Sequence, residues 1–421
     1  MPTLLGSRDA EWLENEYLQA RANSIELIET LEPEDCVIQT IPEVSPTKWH
    51  LAHVTWFFER FCLMEHDDSY RPFNEDYLFL FNSYYHSVGK MHLRSARGLL
   101  SRPLLSEVLA YRNHVDSAMR AFIDQHHADP AVSFKVVLGV HHEQQHQELL
   151  LTDIKHVFFS NPLGPQFQTQ SPNYKPVEVA HEFIDYSGGE AEVGAQEAGF
   201  CFDNETPRHR VLLNDYALGN RLVTNAEYRE FMDAGGYRDS QLWLADGWAH
   251  INEQNWNRPM YWSEETDSEF TLHGWQPIEP TNPVTHISLY EADAFARWAG
   301  ARLPSEQEWE TAAAGEAVTG NTLDQRRFHP CAPQSSNRHG LLQLWGDVWE
   351  WTASPYAPYP RFKTLAGSLG EYNGKFMANQ TVVRGGSCAS WASHLRASYR
   401  SFFYPHDRWQ FLGLRMAKDV P

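Results

Sequence analysis

A chain of 421 residues and 48.5 kDa is too long for one ordinary hydrophobic core and divides most naturally into two domains. Asp and Glu outnumber Lys and Arg by 55 to 34, and the resulting net charge of −21 repels nucleic acid and anionic membranes, leaving small molecules as the expected partners. There is no basic leader and no apolar run of about 18 residues, and the five cysteines are scattered without C-x-x-C spacing, so a cytoplasmic protein with reduced thiols is expected.

The helical pattern begins near Ser7, a candidate N-cap, and continues through DAEWLENEYLQARANSIELIETL. A second helix is expected over Thr47–Glu65 behind Pro46, and a third follows Pro103 in PLLSEVLAYRNHVDSAMRAFIDQ. The fourth runs from about Pro130 to residue 160. With one longer connection at 66–101, these make a four-helix bundle over residues 1–162. Prolines and polar filler at 163–178 break the helical pattern and read as a linker. From 179 to 421 the texture changes to Gly, Trp, Asn and short apolar runs. That half reads as an α+β domain with short strands, much loop, and helices at NAEYREFMDA, LYEADAFARWAG and SEQEWETAAAG.

The fourth helix carries GVHHEQQHQE. At helical spacing His142 and His146 lie one above the other on a single face, close enough to share a cation. The string His142-Glu143-Gln144-Gln145-His146 is also the H-E-x-x-H of zinc peptidases, but no downstream H-x-x-G-x-x-H element supplies a third ligand. An upstream stretch, SPTKWHLAH, offers His50 or His53, of which His53 is favoured and His50 is read as a structural neighbour. Three neutral imidazoles with no carboxylate leave the full metal charge and favour an anionic substrate ligand such as a thiolate.

Six motifs in series (FIDYSGGEAEVG, FDNETPRHRV, VTNAEYREFM, RLPSEQEWE, LWGDVWEWTASPY and VVRGGSCASW) resemble the formylglycine-generating, sulfatase-modifying domain with its C-type-lectin-like fold. KWHLAH and HHEQQHQE resemble a DinB-type bundle. The combination is similar to the EgtB-type sulfoxide synthases of ergothioneine biosynthesis. That resemblance implies Fe(II) as cofactor, O2 as cosubstrate, and union of a cysteine thiol with the imidazole carbon of hercynine, Nα-trimethylhistidine. The iron ligands it implies are His53, His142 and His146, with Glu143 facing elsewhere and Gln145 contacting the hercynine imidazole.

The resemblance further implies that Arg94 and Arg97 hold the carboxylate of the thiol substrate, as a guanidinium fork suits that anion. In some members a tyrosine of the C-terminal domain supplies a proton to the oxygen being reduced. Here the adjacent pair Tyr84 and Tyr85, on the 66–101 connection, is the candidate. Where the γ-glutamylcysteine-using branch carries N-W-D before Tyr-Pro, this chain has Ser401-Phe402-Phe403, which removes the acid expected to meet the glutamyl ammonium. Phe402 and Phe403 are then candidates to face the trimethylammonium of hercynine. Formylglycine generation needs a cysteine pair after R-G-G-S, and Cys388 stands there without a partner. Alternatives are γ-glutamylcysteine as thiol donor, an ovothiol-type sulfoxide synthase and, more distantly, a zinc hydrolase.

Overall fold

The computed structural model describes residues 8–169, 177–196, 199–333 and 340–420. Ser7 and residues 170–176 of the expected linker lie outside these. The first helix, α1 (Ala10–Glu26), is capped by Asp9, whose carboxylate accepts the backbone N–H groups of Glu11 and Trp12.

Every residue of α2 (Thr47–Phe58) is buried, the pattern of a helix enclosed on all sides. The helical path continues through a π-turn at Glu59–Leu63 and a last turn, α3 (Met64–His66). The Glu59 carboxylate accepts from the hydroxyls of Tyr70 (2.9 Å) and Tyr111 (2.6 Å) and from the N–H of Phe73 (3.0 Å). After the single turn α4 (Tyr77–Leu80) come the long helices α5 (Leu105–His126) and α6 (Pro130–Ser160). Asp129 caps α6, and Pro130 occupies the first helical position, where its missing N–H costs nothing.

Helix α6 packs against both α1 and α2. Its approach to α2 depends on Gly139, where a Cβ would lie 2.3 Å from Cε1 of Phe58. A larger residue there would push the two helices apart, just below the turn that carries His142.

The chain separates into two compact units. The first gathers everything up to Phe167 together with two later stretches, Gln196–Asn204 and Lys363–Lys375; the second holds the rest. In the second unit β1 (Phe183–Tyr186) pairs with β4 (Tyr216–Gly219), and β2 (Gly189–Val193) with β3 (His209–Leu213). A further hairpin joins β5 (Ser268–Thr271) to β6 (Gly274–Pro277). The largest sheet has the order β10–β7–β8–β9, built from β7 (Trp349–Pro355), β8 (Thr381–Arg384), β9 (Ser401–Phe403) and β10 (Leu412–Gly413). The last strand, β11 (Ala417–Asp419), returns to β4. Helices α7 (Asn225–Asp233), α9 (Leu289–Trp298) and α10 (Glu306–Ala313) each open on a capping box, and α8 (Ala245–Gln254) lies between α7 and α9. The architecture is the expected one, a helical domain followed by a sheet-rich α+β domain.

Several motif residues of this second unit are structural ion pairs. Glu306 receives Arg384 (2.8 Å) and Arg400 (2.9 Å), and Glu350 receives Arg415 (2.9 Å) and the indole N–H of Trp309 (3.0 Å), all buried. All five cysteines are buried and stand outside any disulfide. Among the described residues no helix is long and apolar enough to cross a membrane.

Candidate metal centre

His53 on α2 and His142 and His146 on α6 bring one ring nitrogen each to within 4.8 Å of one another. His53 is held between two indoles of its own helix, Trp49 at 4.7 Å and Trp56 at 5.7 Å between ring centres, its i−4 and i+3 neighbours. Its Nδ1–H donates to the carbonyl of Phe81 at 2.6 Å, which leaves the lone pair on Nε2. That Nε2 has no hydrogen-bond partner, and neither ring nitrogen of His142 has one. A buried polar atom left unpaired costs about 1–3 kcal/mol, so three in one cluster mark a ligand that the chain itself does not provide. Burial also drives these histidines neutral, pushing His142 down to about 3 and His53 and His146 well below the usual imidazole range. Neutral imidazole is the form that binds metal, so the donor set fits a divalent transition-metal ion.

Glu143, which a peptidase would use as general base, is directed away into a buried ion-pair cluster. It receives Arg21 and Arg112, each at 2.9 Å, and the hydroxyl of Ser24 at 2.6 Å. Burial raises its pKa, but the two guanidinium groups and Ser24 outweigh that and hold it at about 2. A carboxylate so engaged is no base for water, and the zinc-hydrolase reading loses its catalyst. His50 is not one of the three clustered donors; it touches His146 instead, with the two Nδ1 atoms 2.8 Å apart.

The arginine pair separates. Arg97 is buried, with its guanidinium 3.3 Å above the Trp49 ring and its N–H groups on Ser45 Oγ (3.0 Å) and Ser83 Oγ (3.1 Å). Among the described residues no carboxylate pairs with it, and burial together with nearby Arg94 lowers its pKa. Arg94 is exposed and donates to the carbonyl of Glu43. The two arginines sit three apart on one short 3-10 helix, Arg94–Leu99, and so on one face of it; Arg97 is covered by Trp49 and Ser45 while Arg94 reaches to Glu43.

Tyr85 is buried, 5.6 Å from Trp56 and 4.6 Å from Tyr84 between ring centres. Burial raises the pKa of both phenols, so they remain protonated at neutral pH. The first unit adds a third tyrosine that the sequence reading did not assign. Tyr372 donates its hydroxyl to Gln145 Oε1, and its ring centre lies 5.6 Å from that of His142 and 6.3 Å from that of Tyr84. Its neighbours pin it in place: Glu371 accepts the N–H groups of His86 (3.0 Å) and Ser87 (2.9 Å), and Lys375 donates to the carbonyl of Tyr84. The only local sequence signal is the polar string EYNGK, which has no periodicity to place it.

Phe402 and Phe403 lie in the second unit as consecutive residues of β9, so they point to opposite faces of the strand. Phe402 stacks on Tyr356 at 3.9 Å, whereas Phe403 meets the edge of Trp409 at 6.1 Å. One site therefore cannot be lined by both rings. Asp407, the next acid along the chain, accepts the N–H of Tyr404 at 2.9 Å.

Comparison with known families matches residues 16–150 to the DinB superfamily and residues 168–420 to the sulfatase-modifying factor enzyme 1-like domain. A bundle of the first kind carrying a histidine cluster, continued by a domain of the second, defines the class. Hercynine oxygenases of Mycolicibacterium thermoresistibile and Mycolicibacterium smegmatis are each 32% identical to this chain over 97% of its length, covering 95% and 99% of their own. The chain belongs to the hercynine oxygenase family, and so to the oxygenases. The formylglycine-generating enzyme of Streptomyces coelicolor is 30% identical over 55% of this chain and 88% of its own.

Proposed function

We propose that this chain is an iron(II)- and O2-dependent sulfoxide synthase that joins the thiol of cysteine to the imidazole carbon of hercynine. Family membership supports the oxygenase class and hercynine as substrate. The observation that carries the metal assignment is the buried cluster of neutral donors with orphaned ring nitrogens. His53, His142 and His146 would hold the ion. Zinc also fits three imidazoles, but it has no redox chemistry to offer an oxygenase, which favours iron. Iron bound there would activate O2 and give thiolate and imidazole a point at which to meet, the four electrons that reduce O2 coming from the thiol and the imidazole themselves.

The chain's own side chains then position and protonate. Gln145, held by Tyr372, orients the imidazole of hercynine. Arg97, a buried cation without an anionic partner among the described residues, takes the carboxylate of cysteine. The phenols of Tyr84, Tyr85 and Tyr372 form the store of protons beside the histidines, and protonation of the reduced oxygen favours sulfoxide over simple oxidation of the thiol to a sulfinate. Replacing the donating tyrosine by Phe should therefore lower sulfoxide and raise cysteine sulfinate at unchanged iron content. Mass analysis of the products of Tyr84→Phe, Tyr85→Phe and Tyr372→Phe reads the ratio. A parental ratio in all three would take the phenols out of the proton path.

Turnover by the Fe(II)-reconstituted protein, given hercynine, O2 and equimolar cysteine and γ-glutamylcysteine, tests the whole reading. The product should come from cysteine by about tenfold or more, because this chain carries Phe403 at the sequence position where the γ-glutamylcysteine-using branch has an acid, and an ammonium left without an ionic partner is penalised. Asp407 is engaged in its own turn. In the same assay Arg97→Met should raise the KM for cysteine roughly 100-fold, as expected for the loss of charged hydrogen bonds. Its melting temperature should stay near the parent's, since no ion pair among the described residues is broken. Absence of any product coupling sulfur to hercynine would reject the synthase, and predominance of the γ-glutamyl product would reject the role given to Phe403.

A further inference from the structure

His50 stands outside the donor cluster, yet both of its ring nitrogens are committed. Its Nε2 lies 2.9 Å from Asp153 Oδ2, and its Nδ1 lies 2.8 Å from Nδ1 of His146. Asp153 also receives the backbone N–H of Ser45 at 2.8 Å, which fixes the carboxylate in place. We infer that Asp153 and His50 form a relay that sets the tautomer and orientation of His146 for metal binding; this rests on the metal assignment proposed above.

The hydrogen-bond polarity runs in one direction. A carboxylate only accepts, so His50 donates from Nε2 and keeps a lone pair on Nδ1. That lone pair can take a proton only from Nδ1–H of His146. The remaining nitrogen of His146, Nε2, is then a lone-pair donor free for a cation. The opposite arrangement, with His50 donating from both nitrogens, would put the proton of neutral His146 on Nε2 and block it as a ligand. Metal binding at Nε2 thus selects one state of the relay.

The three clustered histidines are held unequally. His146 ends a chain that terminates in a carboxylate, His53 ends on the neutral carbonyl of Phe81, and His142 has no partner on either ring nitrogen. A carboxylate behind an imidazole raises its basicity toward a metal, so His146 is the strongest donor of the three. The relay also adjoins the arginine assigned to the substrate carboxylate. Ser45 gives its N–H to Asp153 while its Oγ accepts from Arg97. His50 and Asp153 are accordingly positioning residues, acting on the metal through His146.

Two measurements independent of turnover test this. In Zn(II)-loaded parent protein with nitrogen-15-labelled histidine, the ring resonances should show His146 protonated at Nδ1 and metal-bound at Nε2, and His50 protonated at Nε2. In chelator competition, His50→Phe and Asp153→Asn should each weaken Fe(II) binding about 10- to 100-fold, the usual cost of losing an outer-shell partner. His50→Gln, whose amide can donate to Asp153 and accept from His146, should recover most of that loss. A His146 ring protonated at Nε2 in the loaded parent overturns the relay, as does Fe(II) affinity within about twofold of the parent in the folded variants. Should His50→Phe fail to fold, Asp153→Asn and the spectrum of the parent decide the matter. A parent chain that binds neither Fe(II) nor Zn(II) brings down the metal assignment itself, a result distinct from failure of the relay alone.

Discussion

Alanine at His53, His142 or His146 is expected to leave protein that folds but neither retains Fe(II) nor turns over. Each substitution removes one of three clustered donors, so affinity should fall by more than the roughly 10- to 100-fold typical of changes one shell further out. The fold should suffer less than the burial of these residues suggests. In the metal-free chain Nε2 of His53 and both ring nitrogens of His142 are already unpaired, so their removal also relieves a desolvation cost of about 1–3 kcal/mol per atom against the cavity created. Iron content by elemental analysis, product formation and thermal unfolding of the metal-free variants separate these effects. A variant with parental iron and turnover would lose its place among the ligands.

Glu143→Gln should fail in the opposite way, with stability rather than chemistry lost. The substitution removes the carboxylate that pairs directly with both Arg21 and Arg112, although Arg21 keeps Asp116 at 2.7 Å. Breaking a buried pair while leaving its cation in place costs about 3–5 kcal/mol. For a domain of this size that corresponds to a fall in melting temperature of roughly 10 °C. Molecules that remain folded should bind iron and turn over at near-parental rates per iron. If instead the variant melts like the parent and is inactive with full iron content, Glu143 is acting as a base and the peptidase-like reading returns.

What could be read in the sequence followed from spacing. His142 and His146 at i and i+4 declare a shared helix face, and the four long helical patterns correspond to α1, α2 with its π-turn, α5 and α6. What could not be read depends on which way a side chain turns once elements pack. Arg94 and Arg97 share one face of a 3-10 turn, as positions three apart do, yet one is exposed and the other lies flat on Trp49, because what covers each side chain is supplied by residues distant in the chain. Glu143 within H-E-x-x-H gives the same string whether it faces a metal or two arginines. Tyr372 left no periodic signal, since its position is set by Glu371, Lys375 and Gln145, contacts between residues far apart in the chain. In the second half, motifs such as RLPSEQEWE and VVRGGS announced a family, but the work of Glu306 and Arg384 in the buried ion pairs required the fold to be seen.

Tyr372 and its two anchors also constrain how such a gene can be inherited. They are encoded more than 200 codons downstream of His146, inside the half that reads as a separate domain, yet they belong with the bundle. A crossover between these stretches would pair the histidines with a tyrosine segment from another parent, so a chimaera of two such genes is expected to lose the Tyr372–Gln145 contact unless both stretches come from one of them.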